Sequence, residues 1–184
     1  DTFSNLNNFV RDIKLAGADR FIVHARKAIL QGLSPKDNRK IPPLRYDVVQ
    51  ELKEKNPDLL IEINGGFNNI VECTSALKVF DGVMIGRSAY KHPLKWANID
   101  NNFYNEKFIP KKASTIILNL IPYIENCLRK EGSTWNICKH LINLVEGIPN
   151  AKKWRHNISS NSINKKLTIN ELIKLTLEIK DLGY

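Results

Sequence analysis

The sequence has few cysteines, a single methionine and no long apolar run. Cys73, Cys127 and Cys138 are odd in number and share no CxxC-type spacing. That argues against a disulfide framework and against a zinc site, and it leaves three packing thiols with no metal expected. The sole methionine, Met84, lies mid-chain, so the chain does not start at an initiator and is expected to be a segment of something longer. No uninterrupted apolar stretch approaches the ~18–20 residues that cross a bilayer, and the residues from Asp1 onward carry no basic-then-apolar leader. A soluble, cytoplasmic protein without a membrane partner is the expectation, an organelle address being left to any upstream sequence. Acidic residues are also short: 19 Asp and Glu face 28 Lys and Arg, for a net charge of +9. This surplus is the electrostatic footprint of a protein that meets phosphates, and nucleic acid is the leading partner on charge alone. A solvated Lys- and Asn-rich surface would give the same balance.

What is present is a globular composition, 42% hydrophobic and 26% charged, with apolar residues in two rhythms. Residues 3–17 suit a helix, with Phe9, Val10, Ile13 and Leu15 in partial helical spacing and Gly17 as its stop. Three short apolar runs follow, RFIVH, DLLIEINGG and DGVMIGR. Helical stretches separate them, YDVVQELKEKNP with Asp47 as N-cap and NNIVECTSALKVF. Short apolar runs that alternate with helices indicate parallel strands buried on both faces, hence consecutive βα units. After about residue 97 the strand rhythm disappears. ASTIILNLIPYIENCLRK spaces Ile116, Leu120, Ile124 and Leu128 four apart, with a kink at Pro122. TWNICKHLINLVEG continues the pattern through Ile137, Leu141, Leu144 and Val145 to a stop at Gly147. Thr168 and Glu171 have capping-box spacing ahead of a Leu172, Leu175, Ile179 and Leu182 stripe. Such stripes mean core.

The loops after the strands are the candidate site. Between His24 and Asp47 the chain spends some twenty residues, many of them basic, whereas connections in α/β units usually take about 2–6. Lys36 lies in a Pro-Lys-Asp-Asn turn that Arg39 follows, and Pro42-Pro43 stiffens the return. The second strand ends in Asn64-Gly65-Gly66 and the third in Gly86-Arg87 ahead of Ser88, where a helix can start. Glycines let backbone N–H groups approach a phosphate, a helix start adds partial positive charge, and an arginine adds a charge-assisted fork. A Gly-Gly is more often only a turn and a strand-end histidine more often structural. Two such loops on successive strands in a basic chain shift the balance toward a phosphate-bearing ligand, with His24 beside it. Farther on, NAKKWRHN places Lys152, Arg155 and His156 on one helical face, fit either to lie on a nucleic-acid backbone or merely to be solvated, and frees Trp154 to pack inward.

HARKAILQGLSPKDNRKIPPLRYD, IEINGG and DGVMIGRSAY followed by HP closely resemble the flavin-dependent tRNA-dihydrouridine synthases of the A subfamily. The resemblance runs from about Asp19 to Trp96 and returns more loosely from His140 through GIPNAKKWR to Arg155. It implies an α/β fold in which the C-terminal strands and helices of a TIM (β/α)₈ barrel, residues 1–100, are followed by an all-helical tRNA-binding domain, residues 101–184. It implies an oxidoreductase that reduces uridine to 5,6-dihydrouridine at D-loop positions 20 and 20a of tRNA, with FMN as cofactor and NADPH as reductant. In the family mechanism a hydride passes from the reduced flavin to uracil and a cysteine protonates the neighbouring carbon.

Carried over residue by residue, His24, Asn64, Gly65, Gly66, Gly86 and Arg87 correspond to FMN-binding positions. Lys36 and Arg39 correspond to tRNA contacts of the long loop, and Lys152 and Arg155 to those of the helical domain. Lys152 stands where arginine is common, which keeps the charge but loses the bidentate fork. Against a barrel of about 250 residues, three strand–helix units are few. The resemblance therefore implies a C-terminal portion that lacks the acid cysteine, expected upstream of Asp1, and is inactive alone; no catalytic residue is assigned. Two other readings stay open on the residues themselves: another FMN-dependent barrel oxidoreductase acting on a small molecule, and a non-catalytic RNA-binding module.

Overall fold

The computed structural model describes residues 2–107, 109, 112–130, 132–164 and 167–179. The chain divides into two compact units, Asp1–Ser88 and Ala89–Tyr184.

The first unit begins with α1 (Phe3–Leu15) and β1 (Arg20–His24), then a long connection that contains the one-turn α2 (Pro35–Asn38), and α3 (Tyr46–Lys55). It continues with β2 (Leu60–Asn64), α4 (Ile70–Ala76) and β3 (Gly82–Met84), and α5 (Arg87–Lys91) starts at its end. The strands form a parallel sheet in the order β1-β2-β3, with His24 opposite Asn64 and Asn64 opposite Met84. Val49 and Leu52 of α3 are buried, as are Ile61 and Ile63 of β2. Each such side chain is worth about 1.5–3 kcal/mol when fully withdrawn from water. Asn56, at the end of α3, donates to Asn7 Oδ1 of α1 at 2.7 Å, and Lys55 lies 4.7 Å from the Phe3 ring centre. Asn69 caps α4, its side-chain oxygen accepting from the Glu72 amide at 2.9 Å.

The structure corrects the readings of the strands, of α1 and of Asp47. The strands are not buried on both faces: Ile22 is 52% exposed, Leu60 44% and Met84 46%. Side chains alternate across a strand, so these residues stand on the face opposite Ile61 and Ile63, and among the described residues only the latter face is covered. In α1 the partial periodicity likewise buries Val10 alone, and Phe9 and Leu15 stay exposed. Asp47 does not cap α3 either. It is already helical, Arg45 occupies the cap position, and the two side chains pair at 2.9 Å.

The second unit carries, after a short 3₁₀ turn at Pro93–Trp96, the helices α6 (Ile99–Tyr104), α7 (Ala113–Asn119), α8 (Ile121–Arg129), α9 (Thr134–Leu141), α10 (Ala151–Ile163) and α11 (Ile169–Leu177). Ile117, Ile124, Cys138, Val145, Ile158 and Leu172 are fully buried in its core. Trp154, on the inner side of α10, joins them at 2% exposure. The helix expected over residues 113–130 is two helices. The break falls at Leu120, so Pro122 sits in the first turn of α8, where its missing N–H costs nothing. α9 stops at Leu141, short of Gly147, and Leu144 and Val145 reach the core from turns. The capping box at Thr168 and Glu171 forms in both directions. Leu172 and Ile179 are buried and Leu175 partly so, whereas Leu182 lies outside the described residues.

Candidate functional site

Parallel pairing in register fixes the geometry of the site. Because His24, Asn64 and Met84 are neighbours across the three strands, the segments that leave them emerge at one edge of the sheet. His24, Asn64-Gly65-Gly66 and Gly86-Arg87 are thereby brought together. The Asn64 side chain is held in place, donating from Nδ2 to the Met84 carbonyl at 2.9 Å.

The long connection after β1 folds back over this edge. The Ala25 amide donates to the Asn64 carbonyl at 2.8 Å and the Arg45 amide to the Ala25 carbonyl at 2.7 Å, which closes the base of the loop. Within the loop, Ser34 caps α2 and Asn38 bridges to both the amide and the carbonyl of Ile29, at 2.7 and 2.8 Å. Lys36 and Arg39, three apart around this turn, are exposed. Two arginines grip the loop through its carbonyls. Arg26 Nε donates to Pro42 O and Arg87 Nη2 to Arg39 O, each at 2.7 Å. Arg39, read from the sequence as an RNA contact, and Arg87, read as a phosphate ligand, are thus in direct contact.

Gly65 and Gly66 have φ of +117° and +84°, in the left-handed region that favours glycine. Space makes the same demand, because the return of the loop lies against them. A β-carbon on Gly66 would stand 2.6 Å from Leu44 Cδ1 and 2.8 Å from the Tyr46 hydroxyl, and one on Gly65 would stand 3.3 Å from His24 Cε1. Tyr46 also donates to the Gly65 carbonyl and stacks on Phe67 with ring centres 5.6 Å apart. Among the described residues nothing lies within 4 Å of a β-carbon placed on Gly86, so the edge beside Arg87 is open there.

Charge converges on His24. Burial, then Arg26, Arg87 and Arg39 in that order, hold its imidazole below the usual value of 6.5, and no carboxylate acts on it in the opposite sense. The ring is neutral near pH 7 and can offer one donor and one acceptor. Among the described residues Arg26 Nη1 is buried without a hydrogen-bond partner. Three guanidiniums around a neutral imidazole, one with an orphaned donor, suit an anion with several oxygens. α5 has only five residues, so the arginines rather than a helix dipole supply the field. In the sequence Arg26 stands out only as one of the basic residues that follow His24, and Tyr46 only as part of the PPLRYD stretch. Arg26 had a signal in its position two residues past the strand, but Tyr46 had none of its own.

In the second unit Ala151, Trp154 and Ile158 are the buried side of α10. Lys152 is exposed and Arg155 half-buried, and neither pairs with a carboxylate among the described residues. Lys153 does, with Glu178 at 3.6 Å. Of the thiols, Cys73 and Cys138 are buried, and burial together with Glu72 pushes the Cys73 thiol up. Cys127 is half-buried, and its side chain pushes the Tyr123 hydroxyl up from its usual value.

The family description that matches is "Dihydrouridine synthase (Dus)", over residues 1–180. Among curated relatives the chain is similar to the tRNA-dihydrouridine(20/20a) synthase of Synechocystis sp., 44% identical over 163 residues that cover 89% of this chain and 49% of that one. The synthase of the same description from Pseudomonas aeruginosa is 41% identical over 159 residues, 86% of this chain and 48% of the relative. The one from Shewanella oneidensis is 39% identical over 178 residues, 97% of this chain and 53% of the relative. The chain spans about half the length of these curated relatives. With a family match over nearly its whole length, the chain belongs to the dihydrouridine synthase (Dus) family.

Proposed function

We propose that the protein containing this chain is a tRNA-dihydrouridine synthase that reduces uridines at D-loop positions 20 and 20a, with FMN as its bound flavin and NADPH as the reductant, in the cytoplasm. The observation that carries this reading is the convergence of Arg26, Arg39 and Arg87 on His24 at the open edge beside Gly86. That edge suits the phosphate of FMN: the exposed Arg87 keeps guanidinium donors beyond the one it gives to Arg39 O, and a β-carbon on the adjacent Gly86 would meet nothing within 4 Å among the described residues. His24, Asn64, Gly65, Gly66, Gly86 and Arg87 would hold the cofactor, which when bound supplies the hydride for the uracil double bond. The three strands would belong to its TIM barrel.

The chain's own residues bind and orient. Arg87 offers a fork to phosphate oxygens, and neutral His24 provides a hydrogen bond without adding to the local positive charge. Lys36 and Arg39 on the loop, and Lys152 and Arg155 on α10, would take tRNA phosphates, which fix register while the target base leaves the stack. Residues 101–184 would be the tRNA-binding part. Cys73 lies in α4 and Cys127 and Cys138 belong to the second unit, and no acid is assigned among them. The test is reconstitution of the complete protein with FMN, followed by incubation with NADPH and unmodified tRNA. A flavin absorbance band and dihydrouridine at positions 20 and 20a, read by mass spectrometry of digested tRNA, support the reading. A colourless protein overturns it.

A further inference from the structure

From Arg26 to Ile41 no residue of the loop is buried; Leu30 is 91% exposed and Ile41 63%. Little apolar contact therefore orders this segment, and its position rests on a few polar anchors. Asn38 organises the loop internally, through Ile29. Outside its base, two guanidiniums take up loop carbonyls: Arg26, itself two residues into the loop, on Pro42 O, and Arg87, at the strand edge, on Arg39 O.

The anchors lie in a field of one sign: the Arg39 side chain and the guanidiniums of Arg26 and Arg87 all disfavour the charged form of His24, and among the described residues no carboxylate acts on that ring in the opposite sense. An anion at the edge reverses that sign. Arg87, which is exposed, spends one donor on a loop carbonyl and keeps the rest of its fork, while Arg26 gives Nε to the other carbonyl and holds a buried Nη1 without a partner among the described residues. One guanidinium can therefore hold an anion and a carbonyl together.

We infer that Arg26 and Arg87 are positioning residues that couple the two halves of the site: a phosphate monoester bound at the strand edge locks the loop through the carbonyls of Pro42 and Arg39, and so presents Lys36 and Arg39 to RNA. The inference rests on the functional reading above and deepens it, making loop order, and with it tRNA affinity, depend on cofactor occupancy. Coupling of this kind is reciprocal, so tRNA must tighten FMN by the factor by which FMN tightens tRNA.

The experiment is hydrogen exchange read by mass spectrometry on the complete protein, following peptides over residues 29–41, without ligand, with FMN, and with riboflavin, which lacks the phosphate. FMN slows exchange in the loop about tenfold, an ordinary size for coupling between sites, and riboflavin at saturation does not. In Arg87→Lys and Arg26→Lys, loaded to saturation, charge remains but the fork is lost, and loop protection falls while FMN stays bound. tRNA affinity then falls in these variants even with FMN saturating, an effect that a role confined to flavin binding would not produce. Equal protection with and without FMN, equal protection by riboflavin, or full protection in both flavin-loaded lysine variants overturns the coupling and leaves the functional reading standing. Failure of FMN to bind the unaltered protein overturns both.

Discussion

Gly66 and Leu44 lie so close that a β-carbon on the glycine would stand 2.6 Å from Leu44 Cδ1. The Tyr46 hydroxyl would be 2.8 Å away on the other side, and the glycine φ of +84° is itself one that other residues rarely adopt. The turn after β2 and the return of the long loop are therefore fitted to each other. Gly66→Ala meets two penalties, backbone strain and displacement of a packed leucine. We expect a loss of about 1–3 kcal/mol in the stability of the complete protein, read by denaturant unfolding. Weaker FMN retention on gel filtration should accompany it, since Tyr46 also holds the Gly65 carbonyl.

On the proposed function, two arginines should separate flavin binding from tRNA binding. Arg87→Ala should release FMN, seen as loss of the flavin absorbance band from the purified protein. Arg155→Ala should keep the flavin and weaken tRNA binding evenly across tRNA sequences, lowering the slope of log affinity against log salt by about one. If both variants lost only flavin, the assignment of two sites would be wrong.

His24 gives a pH signature. Its folded value lies below the 6.5 of the unfolded chain, because burial and the three arginines disfavour the imidazolium. Below pH 6.5 the unfolded state takes up a proton that the folded state declines. Stability therefore falls as pH drops from 6.5 toward the folded value, and levels off beneath it. NMR titration of labelled histidine in the flavin-free protein should place the His24 midpoint under 6.5. Addition of FMN should raise it, since phosphate favours the charged ring.

Asp81, just ahead of β3, ties helix to sheet. Its Oδ2 accepts from Lys53 Nζ of α3 and from the Ile61 amide, both at 2.8 Å. Those bonds hold its carboxyl below the usual carboxylate range. Asp81→Asn keeps an acceptor for Ile61 but removes the charge opposite Lys53, and should cost about 1 kcal/mol in unfolding experiments. The native contribution is complete above the unfolded value of 3.8 and disappears as pH falls through the lower folded value, so the two proteins should converge in acid.

In the second unit, Thr168→Ala removes a cap that receives the Glu171 amide at 3.2 Å and breaks one half of the capping box of α11. The expected loss is about 1 kcal/mol. Thr168→Ser, which keeps the hydroxyl, should recover most of it.

Much of this was legible in the chain alone, for a physical reason: strand rhythm, capping chemistry and helix stops are local. RFIVH, LIEIN and GVM are strands, Thr168 and Glu171 close their box, and Trp154 turns inward, each as the spacing of neighbours dictates. Pro122 was read as a kink because its ring forbids a helix interior. That it opens a second helix instead was decided by where Leu120 ends the first. The basic loop and the strand-end glycines were visible as candidates, and their likeness to a family gave them roles. What no local pattern could supply was the pairing of residues far apart in sequence. Only parallel register places His24, Asn64 and Met84 side by side. Only the fold of the loop sets Arg87 against the carbonyl of Arg39, 48 residues away, and lays Leu44 and Tyr46 over Gly66. Sequence determines which groups are available and the local backbone they prefer; contact between them depends on chain topology, which packing of the whole unit selects.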